Sequence, residues 1–174
     1  FATLNGTVYA LTDGGGSATK KWSWSAPGNS SITSSIALAA DGTLYFAAYD
    51  HKLYALSSAG SQKWAYTLGD EVRASSAAVG ADGTVYVGCY DGQVYAVSSG
   101  GALQRVYTTA KTIRSSAVIA NNRLYIGSAD AKLYAFDIGQ SAVNSSWPMF
   151  QQNAGHTGRY SSNAVASSVQ PQSK

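Results

Sequence analysis

The sequence contains few charged residues and no long run of either charge or hydrophobicity. Charged residues make up 12% of the 174-residue chain, fewer than a coiled coil or a charge-laced helical bundle needs on its exposed helical turns. The net charge is +3, and the longest basic run is Lys20-Lys21, so nucleic acid is not an expected partner. Apolar runs such as residues 44–48 are far shorter than the roughly 20 residues that cross a bilayer. We therefore expect no membrane span.

Residues with reactive side chains are also scarce. Cys89 is the only cysteine, which excludes an intrachain disulfide, and His51 and His156 are the only histidines. Two histidines exclude a His-rich zinc site within one chain, whereas calcium held by carboxylates remains compatible with the sequence. The chain begins with Phe1 rather than Met, and its Ser, Thr, Gly and Asn content favours a bacterial protein that is periplasmic or secreted.

Internal repetition is the main feature that the sequence does have. A segment of the form Asp-Gly-Thr-x-Tyr begins at Asp41 and at Asp82, and a weaker copy begins at Asn121, so the period is 41 residues and then 39. A Ser-Ser pair precedes each copy, and a segment such as Leu53-Tyr-Ala-Leu follows it. Turn-forming residues separate four short apolar segments in each repeat. This pattern predicts a four-stranded antiparallel meander.

The middle segments of each repeat are apolar on both alternating faces, which is typical of sheets stacked face to face. Stacked repeats of about 40 residues indicate a β-propeller, and no 3.6-residue spacing supports a helical solenoid. We therefore predict an all-β propeller of about four four-stranded antiparallel blades. Its predicted parts are a partial blade at 1–26, blades at 32–68, 72–109 and 113–150, a closing strand at 159–165 and a disordered tail at 166–174.

The two ends of the chain carry complementary pieces of one repeat. Residues 1–9 align with residues 87–95, so the first blade lacks its first strand. The segment that begins at Arg159 has the sequence Arg-Tyr-Ser-Ser-Asn-Ala-Val and resembles Arg114-Ser-Ser-Ala-Val, where a first strand begins. The last segment can therefore supply the missing strand, which is how propellers join their two termini.

The repeat from Asp82 to Gly101 resembles that of PQQ-like (quinoprotein-type) β-propellers, and residues 147–159, WPMFQQNAGHTGR, are similar to a WPMF…HTGR signature found beside such repeats. The resemblance implies a bacterial envelope or secreted protein of a group that usually forms eight-bladed rings. It does not imply quinone binding, because the docking motif between Ala55 and Trp64 is one residue short and has Ser57 in place of Asp. We expect neither PQQ nor another redox cofactor.

The repeats supply about four blades, whereas the group usually builds eight. This difference has three possible explanations. The chain could close as a four-bladed ring, two chains could share an eight-bladed ring, or the sequence could be a fragment of a longer protein. An unpaired terminal blade exposes an edge and an apolar face, and both favour aggregation. We therefore favour a homodimer with two-fold symmetry that completes an eight-bladed ring.

The loops on one face of the propeller form the candidate ligand site. Loops from second to third strands and from fourth strands to the next blade share the channel mouth, where arginines interleaved with carboxylates and tyrosines suit a small anionic ligand, an ester or a protein. The alternative is that the arginines pair with these carboxylates and only fix the loops. The candidate ligand-binding residues are Tyr49, Asp50, Asp70, Glu71, Arg73, Tyr90, Asp91, Arg114 and Arg159.

The candidate catalytic residues are Arg73, Arg114, His51 and His156. Asp50, Asp91 and Asp130 recur in equivalent turns and are expected to bind their own backbone, with calcium coordination as the alternative. Cys89 is expected to be a buried, inert thiol. The four tryptophans, Trp22, Trp24, Trp64 and Trp147, are expected to pack between blades rather than to stack on sugars.

Two functions fit these features. The first is a non-catalytic binding or scaffold module, as in propellers that assist outer-membrane assembly. The second is a hydrolase of esters, lactones or phosphotriesters at the channel mouth, metal-assisted if calcium binds there. The fold alone does not decide between them.

Overall fold

A computed structural model of the chain describes residues 1–139, Trp147 and Met149. These residues form antiparallel sheets and one 3-10 turn at Pro27–Asn29. The chain is an all-β propeller arc, as the repeats predicted. The described part contains no helix long and apolar enough to cross a membrane.

Each sheet is one blade, numbered here in chain order. The first blade contains β1 (Thr7–Asp13) and β2 (Ala18–Ser25). The second contains β3 (Ala37–Leu38), β4 (Leu44–Ala48), β5 (Lys52–Leu56) and β6 (Gln62–Thr67). The third contains β7 (Ala78–Val79), β8 (Val85–Gly88), β9 (Gln93–Val97) and β10 (Leu103–Thr108). The fourth contains β11 (Val118–Ala120), β12 (Arg123–Gly127) and β13 (Leu133–Asp137).

The strands of each blade pair in sequence order, as a meander requires. In the second blade Ala37 lies opposite Tyr45, and Tyr45 lies opposite Ala55. Any strand of the fourth blade beyond residue 139, the closing strand at 159–165 and the tail at 166–174 lie outside the described residues.

Three apolar clusters hold the blades together, one at each boundary between neighbouring blades. Phe46 and Tyr54 pack against the first blade, where Trp24 meets both rings edge-on at centroid distances of 5.5 and 5.0 Å. Side chains such as Leu53 and Val85 fill the boundary between the second and third blades, and Ile126 lies in the cluster between the third and fourth. Both faces of the middle strands are therefore buried, which explains their continuous apolar pattern.

Two tryptophans reach from the outer strand of one blade to a turn of the next. The indole N–H of Trp22 donates to the carbonyl of Ser58 at 2.9 Å, and that of Trp64 donates to the carbonyl of Ser99 at 2.8 Å. Each ring lies against a turn glycine, where an added Cβ would come within 2.6 Å of Trp22 at Gly60 and 2.8 Å of Trp64 at Gly101. These contacts confirm that both residues pack between blades.

The Ser-Ser pairs connect each inner strand both to its own blade and to the neighbouring blade. The first serine of each pair bonds to the second strand of its own blade, for example where the amide of Ala47 donates to the hydroxyl of Ser34 at 3.0 Å. The second serine links neighbouring blades. The amide of Ser35 donates to the hydroxyl of Ser76 at 2.9 Å, and the amide of Ser76 donates to the hydroxyl of Ser116 at 3.1 Å. A line of hydrogen bonds therefore crosses three inner strands.

Candidate functional site

The two sets of loops predicted to share one face of the propeller contact each other on that face. In each of three blades, the residue that begins the turn between second and third strands donates its amide to the loop that precedes the inner strand. Tyr49 donates to the carbonyl of Ser31 at 3.0 Å, and Tyr90 donates to that of Glu71 at 3.1 Å. Ala129 donates in the same way to the carbonyl of Thr112. The buried residue that follows each acceptor, such as Val72, anchors the loop in the core.

Four side chains alternate along this face, and we refer to Tyr49, Arg73, Tyr90 and Arg114 as the Tyr/Arg row. The guanidinium carbon of Arg73 lies 5.7 Å from the ring centre of Tyr49 and 5.0 Å from that of Tyr90. Arg114 covers Tyr90 as well, at 5.2 Å. Each contact is within the range of cation–π attraction. The structure therefore brings together two predicted arginines and two predicted tyrosines.

The two arginines of the row differ in their acidic partners. Arg73 forms an ion pair with Glu71, and this hydrogen bond raises the pKa of the guanidinium. The hydroxyl of Thr33 donates to the carbonyl of Arg73, which ties the loop to the second blade. Arg114 is exposed, and no carboxylate pairs with it among the described residues. Among the described residues, the carboxylate pairing that the loop-fixing alternative requires is observed for Arg73 and not for Arg114.

The row ends where the repeat changes its residues. Thr33 occupies the position of Arg73 and Arg114 in the second blade, and Ala129 occupies the position of Tyr49 and Tyr90 in the fourth. Neither residue can continue the alternation. The row therefore spans the second blade to the start of the fourth, within the described part of the chain.

The recurring aspartates are turn residues. Asp91 accepts the amide of Gln93 at 2.9 Å and the hydroxyl of Tyr95 at 2.6 Å. Asp130 accepts the hydroxyl of Tyr134 at 2.6 Å, and this hydrogen bond lowers the pKa of Asp130. Asp50 accepts the hydroxyl of Tyr54. The tyrosine partners were not predicted from the sequence, although a spacing of four residues from Asp to Tyr recurs in all three repeats.

The three recurring aspartates do not gather into one cluster within the described residues. They belong to different blades, and no three His, Cys, Asp or Glu side chains come together for a metal ion in the described ranges. One buried oxygen of Asp50, Oδ1, has no hydrogen-bond partner in the described part of the chain. The equivalent oxygen of Asp91 accepts a turn amide. The difference is confined to a single oxygen and does not make a coordination site.

Asp70 and Cys89 stabilise the loop beneath the row. Asp70 accepts the amide of Glu71 at 2.8 Å, and its carbonyl accepts the thiol of Cys89 at 3.2 Å. Burial raises the pKa of Cys89 to about 12. The thiol is therefore neutral and buried, as predicted, and it is not available as a nucleophile near neutral pH.

His51, the histidine within the described residues, does not join the Tyr/Arg row. His51 is exposed in its turn at a φ of 64°, where its carbonyl accepts the amide of Leu68. His156 and Arg159 lie outside the described residues. Of the catalytic candidates that the structure describes, Arg73 and Arg114 lie side by side, on the ring of Tyr90.

Comparisons with known proteins agree with this architecture. A family model described as outer membrane protein assembly factor BamB matches residues 4–169. The crystal structure of BamB from Moraxella catarrhalis superposes with a TM-score of 0.66 at 23% identity, covering 84% of this chain and 43% of that one. The WD40 β-propeller domain of Doa1 gives a TM-score of 0.63 at 18% identity, covering 78% and 45%. The chain therefore spans less than half of either structure. No curated protein sequence matches it significantly.

Proposed function

The chain belongs to the BamB family of PQQ-like repeat propellers, and on that premise we propose that it is a binding or scaffold module of the bacterial envelope. The family description and the BamB likeness support this role and a periplasmic or secreted location. The observation that carries the proposal is the Tyr/Arg row, because it presents exposed cationic groups and half-buried aromatic rings in one line.

The chemistry of the row suits an acidic, partly aromatic segment of a partner protein. Arg114 can bind a carboxylate through two parallel hydrogen bonds, which a lysine cannot match. Tyr49 and Tyr90 offer half-buried ring surfaces beside the charges. Arg73 is already paired with Glu71 and therefore positions the rings on either side of it. Arg114 is the expected anchor for the ligand.

The terminal blades support the homodimer. Leu133 of the fourth blade is 73% exposed, whereas the equivalent Leu53 in the second blade is fully buried. Leu11 of the first blade is 46% exposed, whereas the equivalent Leu56 is fully buried. Each terminal face thus carries the residues that pack against a neighbouring blade elsewhere in the arc. Two chains joined end to start would cover both faces and give eight blades.

Binding at the row is tested by fluorescence anisotropy with a fluorescein-labelled peptide of alternating Asp and Phe. We expect Arg114→Ala to weaken binding about tenfold or more, since charge-assisted hydrogen bonds are worth roughly 1.5–3 kcal/mol. Arg105→Ala is the matched control, because Arg105 lies 5.6 Å from the ring of Tyr107 on an outer strand away from the row. Equal losses in both variants, or no binding by the wild type, would contradict the proposal.

The hydrolase alternative and the dimer have separate tests. Turnover of chromogenic esters or phosphotriesters that disappears with Arg114→Ala, or with a chelator, would favour an enzyme over a binding module.

Light scattering should give twice the chain mass of 18.1 kDa. A stable monomer at micromolar concentration would exclude the homodimer.

A further inference from the structure

Two loops of the Tyr/Arg row have the same backbone contacts but different side chains. We call residues 71–73 the third-blade loop and residues 112–114 the fourth-blade loop. In each loop the carbonyl of the first residue accepts the turn amide described above, and the middle residue, Val72 or Ile113, is buried in the core. The first residue is half-buried and the third is exposed in both loops. The first loop reads Glu-Val-Arg and the second reads Thr-Ile-Arg.

The third-blade loop already holds a carboxylate on its arginine. Nε of Arg73 donates to Oε1 of Glu71 at 2.5 Å, and Nη2 of the same guanidinium contacts the same oxygen. Main-chain hydrogen bonds fix Glu71 on both sides. Its amide donates to Oδ1 of Asp70 at 2.8 Å, and its carbonyl accepts the amide of Tyr90 at 3.1 Å. The carboxylate is therefore in place on Arg73 before any ligand arrives.

The fourth-blade loop has no carboxylate at the equivalent position. Thr112 takes the place of Glu71, and its hydroxyl has no hydrogen-bond partner among the described residues. The guanidinium of Arg114 lies over the ring of Tyr90 and has no carboxylate partner in the described part of the chain. A hydroxyl and a guanidinium both donate hydrogen bonds. This loop therefore presents two donors for which the described structure supplies no acceptor.

Resting on the proposed binding role of the Tyr/Arg row, we propose that Thr112 and Arg114 form a pocket for one carboxylate of the partner's acidic segment, and that Glu71 excludes a second carboxylate from Arg73. The ligand's carboxylate takes the place beside Arg114 that the carboxylate of Glu71 takes beside Arg73. The neighbouring ring of Tyr90 is half-buried and offers an apolar surface at the same point. The preferred ligand is thus a segment with a single acidic residue flanked by aromatic ones.

Glu71 makes Arg73 unavailable to a ligand for two reasons. Its Oε1 occupies the Nε and Nη2 edge of the guanidinium, an edge that a bidentate carboxylate uses. Its negative charge also repels a second carboxylate at that place. Arg73 and Arg114 both lie within 5.2 Å of the ring centre of Tyr90. Acidic side chains on alternate residues of an extended peptide, roughly 7 Å apart, would otherwise reach both arginines.

A carboxylate introduced into the fourth-blade loop tests the pocket. Thr112→Glu places a carboxylate two residues before Arg114, the spacing that Glu71 has from Arg73. The probe is a fluorescein-labelled Phe-rich peptide with a single Asp, followed by fluorescence anisotropy. We expect Thr112→Glu to weaken its binding about tenfold or more, because the internal carboxylate competes with the ligand and repels it. Thr19→Glu adds the same charge at an exposed position of β2 and should leave the affinity unchanged.

Removing the internal carboxylate tests the exclusion. Glu71→Thr gives the third-blade loop the residue that the fourth-blade loop has. The second probe has Asp at two alternate positions, and the one-Asp peptide differs from it only by Asn in place of one Asp. We expect Glu71→Thr to bind the two-Asp peptide about tenfold more tightly than the wild type does, since both arginines then accept a carboxylate. The one-Asp peptide should gain about twofold at most, from the choice of two equivalent arginines.

An exchange of the two residues separates the pocket from a general effect of charge. The double variant Glu71→Thr/Thr112→Glu has the net charge of the wild type and moves the internal pair from the third-blade loop to the fourth. We expect it to bind the one-Asp peptide within about threefold of the wild type, through Arg73. Arg73→Ala should remove this recovered binding. A double variant that binds as weakly as Thr112→Glu alone would overturn the equivalence of the two loops.

The measurements distinguish a failure of this inference from a failure of the proposed function. Where the wild type binds the one-Asp peptide and Arg114→Ala weakens it, the proposed function stands. Unchanged affinity in Thr112→Glu, or the same preference between the two peptides in Glu71→Thr and the wild type, then overturns the inference alone. Failure of the wild type to bind either peptide overturns both. The gain expected for Glu71→Thr cannot result from a loss of folded protein, so this variant decides the question even where Thr112→Glu is destabilised.

Discussion

Replacing Trp64 by valine tests whether the indole contact holds the second blade to the third. Val106 stands at the equivalent position one blade later, so the substitution gives this boundary the residue that the next one has. A fully buried Trp-to-Ala change costs about 3–5 kcal/mol. Trp64 is only half-buried, so we expect a packing loss of about 2 kcal/mol. The exposed hydrogen bond to Ser99 adds about 0.5–1 kcal/mol.

The two contributions can be separated by a second variant. Trp64→Phe keeps most of the ring contact and removes the N–H donor, so we expect it to cost about 1 kcal/mol. Both values are measured by urea unfolding followed by circular dichroism, with the slope m required to stay constant. A cost for Trp64→Val below about 0.5 kcal/mol, or one equal to that of Trp64→Phe, would refute the role given to the indole.

A double-mutant cycle with Gly101 tests the contact itself. An added Cβ at Gly101 would lie 2.8 Å from the Trp64 ring, and the residue has a φ of 89° that costs a side chain about 1–2 kcal/mol in either background. The steric part of the penalty should disappear once the indole is gone. Gly101→Ala should therefore cost less in the Trp64→Val background, by about 1 kcal/mol or more. Strict additivity would contradict the packing described above.

Three further predictions concern single sites and are checked by the same unfolding measurements. Ala131 has a φ of 65° in a turn where the third blade has glycine, so Ala131→Gly should stabilise the protein by about 1 kcal/mol, and an unchanged midpoint would contradict this. Gly88→Ala should destabilise it by about 2 kcal/mol or more, because the new Cβ would lie 2.3 Å from Ile113, and wild-type stability would contradict the packing. Burial raises the pKa of Cys89 from 9.0 to about 12, so the contribution of the neutral thiol to stability is complete below pH 9 and is lost as the pH rises toward 12. Relative to Cys89→Ala, the free energy of unfolding of the wild type should fall by about 1.4 kcal/mol per pH unit in this window. Parallel plots of unfolding free energy against pH for the two proteins would refute the assignment.

Much of the fold could be predicted because each blade repeats the same short sequence motifs. The Asp-Gly turns, the Ser-Ser pairs and the Tyr-Ala segments set strand order and register within a repeat. The meander at Leu44–Ala48 and Lys52–Leu56 follows directly from them. The position of Trp147 could not be predicted in this way, because its contact with Val79 joins distant parts of the chain.

The residues of the candidate site could be predicted from the sequence, but the ion pairs among them could not. Equivalent positions in the repeats placed Arg73, Arg114, Tyr49 and Tyr90 on one face. Which arginine pairs with a carboxylate of the described residues depended on side-chain geometry, since Glu71 lies within reach of Arg73. The row ends at Thr33 and Ala129, which replace Arg and Tyr at its two ends. That these two positions limit the row could be seen only once the Tyr–Arg contacts were known.

If the Tyr/Arg row binds the proposed ligand, that binding is coupled to the angle between the second and third blades. Tyr49 and Tyr90 belong to turns of different blades, and Arg73 stands between them on the connecting loop. A hinge motion that opened the arc by even a small angle would draw both rings away from the guanidinium. Any ligand that binds the closed row more tightly would therefore oppose that motion, and by thermodynamic reciprocity a stiffer arc would bind the ligand more tightly.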